Sequence, residues 1–217
     1  MSTHKQKFEI PPSPNLDFEN ALCVKRTIPI AGLDEAGRGA WAGPVYAAAV
    51  ILHVDIQIQN QLQGVRDSKQ MSAKQRDYWA EKIKNLALAW GIGSADHIEI
   101  DQIGIIASTR LAMSRAIDQL TSTPQHLLID ALRLPAMSIE QTAIIKGDQR
   151  SLSIAAASIL AKTARDAWMR TIAEQHPDYG FAQHKGYGTR LHQAKLIELG
   201  PSPIHRTSFR PIKAIIT

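Results

Sequence analysis

Three apolar segments of this chain each lead into a carboxylate, and this recurrence constrains the fold more than any other feature. The segments are IAGL before Asp34 and Glu35, HLLI before Asp130, and AIIKG before Asp148. A short apolar run is typical of a buried strand. A carboxylate at the end of such a run is costly unless it faces water, a partner charge or a cation. The three segments therefore predict a sheet that brings several acidic side chains to one edge.

Carboxylates that converge at one sheet edge repel each other unless divalent cations lie between them. Oxygen ligands suit hard cations such as Mg²⁺ or Mn²⁺, and two ions about 4 Å apart are the usual arrangement for phosphodiester hydrolysis. Each acid taken alone is more typical of a turn or a helix cap. Because adjacent strand residues point to opposite faces, Asp34 and Glu35 can share a site only if the strand ends between them. Gly37 and Gly39 favour such a break.

The hydrophobic pattern predicts an α/β domain with a mixed sheet, because strands come first and helices mix in later. Residues 1–26 show no periodicity and predict a flexible arm ahead of a single domain over residues 27–217. Ser72 and Gln75 have the spacing of a capping box. Strands are predicted at residues 27–33, 45–53, 86–95, 125–130 and 142–146, and helices at residues 72–85, 105–120, 151–174 and 189–199.

Positive charge is concentrated at the C-terminal end of the chain. The formal net charge is +5, and residues 181–217 account for all of it, with six Lys and Arg residues against Glu198. A local basic segment favours a polyanion such as nucleic acid, and a solvated tail is the alternative. His184, His192 and His205 lie in the same segment. Phosphate contacts or solvation explain these histidines better than a metal cluster does.

The composition excludes several classes of protein. With Cys23 as its single cysteine, the chain can form no internal disulfide and no cysteine-based zinc site. The first residues contain no apolar core of a signal peptide. The longest apolar run, residues 40–52, is interrupted by Gly43 and Pro44 and is too short to span a bilayer. We therefore expect a soluble cytoplasmic protein without a membrane partner.

A series of motifs closely resembles the ribonuclease HII family. The motifs follow the family's order from about residue 28 to residue 211, which is nearly the whole chain apart from the arm. So many ordered matches make a chance resemblance very unlikely. The motifs are GLDEAGRG at 32–39, WAGPV at 41–45, DSK at 67–69, LID at 128–130, KGD at 146–148, AAASILAKTARD at 155–166, HKGYGT at 184–189, GP at 200–201, HR at 205–206 and SF at 208–209.

The resemblance implies an RNase H-like fold, with a central mixed sheet flanked by helices and a C-terminal helical segment, about residues 181–217, that binds substrate. It implies an endonuclease that hydrolyses the RNA strand of RNA/DNA hybrids and incises 5′ of single ribonucleotides in duplex DNA. The products would carry 3′-hydroxyl and 5′-phosphate ends, and the role would be ribonucleotide removal. By the same resemblance, one Mg²⁺ or Mn²⁺ ion would be held by Asp34 and Asp148, and a second by Asp34, Glu35 and Asp130.

The resemblance also implies residues that recognise the substrate. Gly37, Arg38 and Gly39 would read the ribose 2′-hydroxyl, which is the group that distinguishes RNA from DNA at that sugar. Tyr187 would stack on the sugar just past the ribonucleotide, with packing in a glycine-rich turn as its alternative role. Three basic residues would contact phosphates or neutralise carboxylates, with a solvated surface position as the alternative for the lysines: Lys69, Arg165 and Lys185.

Asp166 lies in a matched motif but on a predicted helix, so we assign the fourth metal ligand to Asp148. A ligand role for Asp166 is the weaker alternative to a position on the helix surface. The sequence departs from the family's usual pattern at Gly104, where Asn is usual, and this departure affects only a predicted helix start. The short arm and Tyr187 favour ribonuclease HII over the related ribonuclease HIII.

Two other functions remain as alternatives at this stage. One is a non-catalytic protein that binds nucleic acid through the basic C-terminal segment, and the other is a resolvase-like nuclease of the same fold. We expect the protein to act as a monomer on RNA/DNA hybrids and on DNA that contains ribonucleotides. The sequence does not identify a protein partner such as a replication clamp.

Overall fold

A computed structural model describes residues 10–24 and 28–216 of this chain. In these ranges five strands form one sheet, with helices on both of its faces. The strands are β1 (Ile30–Ala36), β2 (Val45–Ile51), β3 (Ala89–Ala95), β4 (His126–Asp130) and β5 (Glu140–Ile144). The helices are α1 (Asp17–Leu22), α2 (Ile56–Gln61), α3 (Ala73–Leu86), α4 (His97–Ile103), α5 (Ile105–Asp118), α6 (Leu152–Gln175), α7 (Phe181–His184), α8 (Arg190–Leu199) and α9 (Arg210–Ile216), with 3-10 turns at Ser68–Gln70, Gly147–Gln149 and Pro177–Tyr179.

The sheet is mixed, as the sequence predicts. Its strand order is β3-β2-β1-β4-β5. The β1–β2 and β2–β3 pairs are antiparallel, and the β1–β4 and β4–β5 pairs are parallel. Leu33 of β1 lies beside Ile129 of β4, so the acids that follow these two residues emerge at the same edge of the sheet. The topology therefore brings Asp34 and Asp130 together.

The two faces of the sheet are covered by different helices. Helix α6 packs on β1 and β2, and α5 packs on β2 and β3. The α6 contact is close at Gly32, where an added Cβ atom would lie 2.2 Å from the backbone carbon of Ser153. The small residues of the AAAS stretch, 155–158, are all buried in this contact. Within the described ranges, no helix is both long and apolar enough to span a lipid bilayer.

Most predicted elements are present with shifted ends, and the capping box of Ser72 and Gln75 is confirmed. Two predictions about strand ends are wrong. Strand β1 continues through Ala36, so Asp34 and Glu35 lie inside it. Both nevertheless line one cleft, so the expectation that they can share a site only if the strand ends between them is wrong. Strand β5 ends at Ile144, and Asp148 lies in the 3-10 turn that follows. Helices α1, α2, α4, α7 and α9 are not among the predicted helices.

Within the predicted flexible arm, residues 17–22 form α1, a helix that the sequence did not indicate. Residues 1–9, 25 and 26 of that arm lie outside the described residues. Leu16 is buried in the core, and the buried Glu19 accepts hydrogen bonds from the start of α6. These contacts fix α1 on the domain, although its sequence has no helical periodicity.

Candidate active site

A cleft lies where β1 and β4 end at one edge of the sheet. Asp34, Glu35 and Asp130 line it together with the 37–39 loop and Tyr187. Lys69 also lines the cleft and brings a positive charge to the acids. The structure therefore gathers most of the sequence-predicted site residues in one place, including pairs that are more than 100 positions apart.

The two acids of β1 lie close together, with Asp34 buried and Glu35 partly buried. Asp34 is only 3% exposed. Burial, followed by the charges of Glu35 and Asp130, raises the pKa of Asp34 well above its usual range. Burial also raises the pKa of Glu35, although Arg38 donates a hydrogen bond to Glu35 Oε1 at 3.0 Å. The other oxygen, Glu35 Oε2, is buried without a hydrogen-bond partner, which is unusual for a polar atom in a folded protein.

Asp130 connects β4 to the turn that holds Asp148. Asp130 Oδ1 accepts a hydrogen bond from the Gly147 amide at 2.7 Å. Burial raises the pKa of Asp130, and the charge of Asp148 acts in the same direction. Asp148 itself is buried. The structure thus brings Asp148 close to the other acids through a hydrogen-bonded turn.

Lys69 forms an ion pair with Asp148. Its Nζ atom donates to Asp148 Oδ2 at 3.0 Å and to Asp67 Oδ1 at 3.4 Å. Burial acts to lower the pKa of Lys69, but the hydrogen bond and charge of Asp148, followed by the charge of Asp67, raise this pKa above its usual value. Lys69 therefore neutralises a carboxylate in this conformation, and a phosphate contact stays a prediction.

The donor set of this cleft fits divalent cations. It offers hard oxygen ligands, like charges that are buried together, and the unpartnered oxygen of Glu35. Such a group is favourable only when positive charge lies among its members. In the described part of the chain, no three His, Cys, Asp or Glu side chains are yet spaced to hold a metal ion. In this conformation Lys69 provides the positive charge at Asp148.

Arg165 supports the site from within the protein. Its side chain has no exposed surface, and it donates to the carbonyl oxygens of Ala42 at 3.1 Å, Pro44 at 2.9 Å and Lys185 at 2.9 Å. The prediction that Arg165 contacts a phosphate or neutralises a carboxylate is therefore wrong in this structure. The guanidinium instead ties the loop after β1 to the loop that precedes Tyr187.

A second buried guanidinium, from Arg206, holds the same loop. Its Nε atom donates to the Gly43 carbonyl at 2.8 Å and its Nη1 atom to the Arg38 carbonyl at 3.1 Å. Burial, followed by the charge of Arg165, lowers the pKa of Arg206 to about 9. Sequence reasoning gave Arg206 no role, although its position in a matched motif was a signal that could have found it.

Tyr187 and Lys185 differ in how they relate to the cleft. Tyr187 is half-buried in the cleft wall, and the Nζ atom of Lys162 lies 5.4 Å from the centroid of its ring. Lys185 lies at the end of α7 and donates its Nζ hydrogen bond to the Ala182 carbonyl. Burial lowers the pKa of Lys185. A phosphate contact by Lys185 stays a prediction.

The C-terminal histidines form a buried stack. The rings of His184 and His192 lie 4.3 Å apart with an angle of 14° between their planes. His192 Nε2 and His205 Nε2 share a hydrogen bond of 2.9 Å. Burial is the main cause that lowers the pKa of His192 and of His205 to about 4. Phosphate contact and solvation, the interpretations that the sequence favoured, are both wrong for these residues.

Asp166 does not lie on the helix surface. Its side chain is buried, 4% exposed, and forms ion pairs with Arg76 at 3.1 Å and with Lys162 at 2.6 Å. The sequence could not show the Arg76 partner, because the two residues are 90 positions apart. Both cations also line the cleft.

The chain is similar to known proteins over most of its length. A family model described as ribonuclease HII matches residues 31–212. The ribonuclease HII of Synechococcus sp. (strain JA-3-3Ab) is 51% identical over 202 residues, which cover 92% of this chain and 90% of that protein.

Solved structures show the same fold at low sequence identity. The ribonuclease HII of Archaeoglobus fulgidus, solved in complex with PCNA, has a TM-score of 0.72 at 23% identity and covers 87% of this chain and 97% of that one. Bst-RNase HIII in complex with Mn²⁺ has a TM-score of 0.69 at 16% identity and covers 87% of this chain and 69% of that one. The predicted fold class is confirmed.

Proposed function

Because the chain belongs to the ribonuclease HII family and is therefore a metal-dependent endoribonuclease of RNA/DNA hybrids, we propose that it also incises duplex DNA 5′ of single ribonucleotides. Its role is then ribonucleotide removal from DNA. One observation carries the proposal: the 37–39 loop and Tyr187 line the same cleft as the buried acids. A ribose whose 2′-hydroxyl contacts this loop would lie next to the carboxylates that are proposed to hold the metal ions at its phosphate.

The proposed metal ligands are Asp34, Glu35, Asp130 and Asp148. Asp34 and Asp148 would hold one ion, and Asp34, Glu35 and Asp130 would hold the other. Bound Mg²⁺ or Mn²⁺ supplies Lewis-acid activation of water and of the leaving oxygen. Water adds to phosphorus and the bond to the 3′-oxygen breaks, which leaves a 3′-hydroxyl and a 5′-phosphate. The repulsion among the buried acids supports this assignment, because cations relieve it.

The 37–39 loop suits recognition of a 2′-hydroxyl through backbone groups. The Gly39 Cα faces open space, with no atom within 4 Å of an added Cβ, so a sugar can approach the backbone closely. Arg206 donates a hydrogen bond to the Arg38 carbonyl within this loop, and Arg165 donates to the carbonyls of Ala42 and Pro44 just after it. A preorganised recognition group needs no rearrangement when it binds. Tyr187 supplies an aromatic surface on the cleft wall for the neighbouring sugar. The proposed oligomeric state is a monomer.

The test is cleavage of a labelled DNA duplex that carries one ribonucleotide, with Mg²⁺, Mn²⁺ or EDTA. We expect incision only on the 5′ side of the ribonucleotide, only with metal, and with a 5′-phosphate on the downstream product. Asp34→Asn should reduce kcat at least 100-fold, because a bound ion and its preorganised ligands contribute several kcal/mol to the transition state.

Two controls separate this proposal from its alternatives. Asp118→Asn removes the same charge at an exposed position and should retain wild-type rates. An all-DNA duplex should remain intact, and its cleavage would point to the resolvase-like alternative. Cleavage of a continuous RNA/DNA hybrid without incision at a single ribonucleotide would retain the family activity and overturn the proposal.

A further inference from the structure

A buried carboxylate on α6 joins two cations from different parts of the cleft wall. Asp166 Oδ2 accepts from Arg76 Nη2 of α3 at 3.1 Å, and Asp166 Oδ1 accepts from Lys162 Nζ at 2.6 Å. The two cationic side chains are only 13% and 17% exposed. A carboxylate whose two oxygens each accept a charge-assisted hydrogen bond holds both partners in a defined geometry.

Arg76 connects Asp166 to the turn that carries Lys69. Its Nη1 atom donates to the carbonyl oxygen of Met71 at 2.6 Å and to that of Ser68 at 3.2 Å. Lys69 lies between these two residues and reaches Asp148 from that turn. The guanidinium that Asp166 orients therefore clamps both ends of the turn that presents Lys69 to the acids.

Lys162 connects Asp166 to Tyr187. The Lys162 ammonium lies 5.4 Å from the centroid of the Tyr187 ring, a cation–π distance that favours one orientation of the ring. Asp166 lies one helical turn after Lys162 and fixes its ammonium group. The Arg165 guanidinium lies 5.2 Å from the same centroid, so two cations hold the proposed junction-reading tyrosine, and Asp166 fixes one of them, Lys162.

Asp166 also offsets a local excess of positive charge. Arg76, Lys162 and Arg170 each repel the ammonium of Lys185, whereas Asp166 attracts it. Without a carboxylate among these cations, their mutual repulsion would drive them apart. Two interior cations of the cleft wall would then lose their common anchor.

We propose that Asp166 is a positioning residue of the reaction, which orients Lys69 through Arg76 and Tyr187 through Lys162. It does not act as a metal ligand, because both of its oxygens are occupied by these cations. This inference rests on the proposed function only for the part that concerns Tyr187. The part that concerns Lys69 applies to cleavage of any RNA/DNA hybrid.

The first test is Asp166→Asn, which keeps the size of the side chain and removes its charge. We expect kcat on a continuous RNA/DNA hybrid to fall about tenfold or more, in line with other groups that orient functional side chains. Calorimetric Mn²⁺ affinity should stay within about twofold of wild type, because no proposed metal ligand changes. A large loss of Mn²⁺ affinity would make Asp166 a ligand and overturn the proposal. Full activity of the folded variant would also overturn it.

The two arms of the arrangement are tested one at a time. Lys162→Met should lower the rate on a single embedded ribonucleotide more than the rate on a continuous hybrid, because it affects Tyr187. Arg76→Met should lower both rates by similar factors, because it affects Lys69. Asp166→Asn should show both effects, and its effect should be small in the Arg76→Met, Lys162→Met background. If Asp166 had only a structural role, Asp166→Asn would instead lower the rates on both substrates by the same factor.

Controls keep this result separate from the proposed function. Glu99→Gln breaks a matched Arg–carboxylate pair with Arg115, whose residues do not line the cleft, and both rates should stay at wild-type values. If the wild-type protein ignores single ribonucleotides, the proposed function fails. Rates on the continuous hybrid would then still test the link from Asp166 through Arg76 to Lys69. If the losses caused by Asp166→Asn and Arg76→Met were additive on that substrate, the inference would be overturned independently.

Discussion

At Gly37, the backbone conformation and a neighbouring side chain both exclude a Cβ atom. The residue has φ +96°, and an added Cβ would lie 2.0 Å from Nε of Arg165. Arg165 cannot move aside without losing its hydrogen bonds to the loop carbonyl groups. The 37–39 loop and the buried Arg165 side chain are therefore fitted to each other at this one position.

We expect Gly37→Ala to lower the free energy of unfolding by about 1–3 kcal/mol, from backbone strain and lost hydrogen bonds. Its kcat/KM on a hybrid should fall at least tenfold. Urea denaturation and steady-state kinetics measure the two effects. The matched stability control is Gly39→Ala, where an added Cβ meets open space, and its free energy of unfolding should match that of wild type. A Gly37→Ala protein as stable as this control would contradict the argument.

At the scale of single elements, α1 shows how a short helix is held by one side chain. Six residues are too few for a stable isolated helix. Glu19 Oε1 accepts from Ser151 Oγ and Ser153 Oγ, each at 2.6 Å, and from the Ser153 amide at 3.1 Å. A carboxylate at the start of α6 is also favourable with the helix dipole. These bonds secure the residues that follow Asp148.

Glu19→Ala should therefore lower the free energy of unfolding by about 2–3 kcal/mol, because it leaves buried serine hydroxyls and an amide without their acceptor. Urea denaturation is the measurement, and the dependence on urea concentration should stay unchanged. Asn20→Ala changes the exposed neighbour in the same helix and should cost less than about 0.5 kcal/mol. Equal losses in the two variants would contradict the assigned role of Glu19.

The elements that the sequence predicts best are those whose signal is local. The apolar runs of β1, β2 and β4 and the capping box of α3 are read directly from neighbouring residues. Long-range partners are not encoded in any short window, so the pairing of Asp166 with Arg76 was missed. The same reason explains Arg165, for which the resemblance implied a contact with a phosphate or a carboxylate. Its three acceptors are backbone carbonyl groups, which a sequence does not display.

The position of Asp148 shows the same limit within the site. The apolar run before it predicts a strand that ends at the acid, whereas the strand ends four residues earlier, at Ile144. The Gly147 amide bonds to Asp130 and the following turn carries Asp148 inward. The sequence therefore identified the acids that gather in the cleft but not the way in which the chain delivers each one.

At the scale of the whole molecule, the buried histidine stack makes stability depend on pH. His192 and His205 have pKa values lowered to about 4 in the folded protein, against about 6.5 in the unfolded chain. Above pH 6.5 both states are neutral and the contribution is fully present. As pH falls from 6.5 toward 4, only the unfolded state binds protons, so stability is lost in this window. Below about pH 4 these two residues cause no further loss.

Between pH 7 and pH 5 we expect each of these histidines to lower the free energy of unfolding by about 2 kcal/mol. Urea denaturation at several pH values measures the change. His205→Gln keeps a polar side chain next to Ser202 and should reduce the loss of unfolding free energy between pH 7 and pH 5 by about half. His53→Gln, at an exposed position, should leave the profile unchanged. A wild-type profile that is flat over this range would contradict the assignment.

Segments from three distant parts of the chain form the wall around the 37–39 loop. Trp41 donates its amide to the Gly186 carbonyl, and the Arg206 amide donates to the Trp41 carbonyl, each at 2.8 Å. During synthesis on the ribosome, the loop near residue 40 emerges long before the residues that fix it. The nascent chain therefore contains this loop well before Gly186 and Arg206 are present to hold it in place. The wall of the cleft is therefore completed only after residue 206 has been synthesised, because that residue supplies its last backbone hydrogen bond to Trp41.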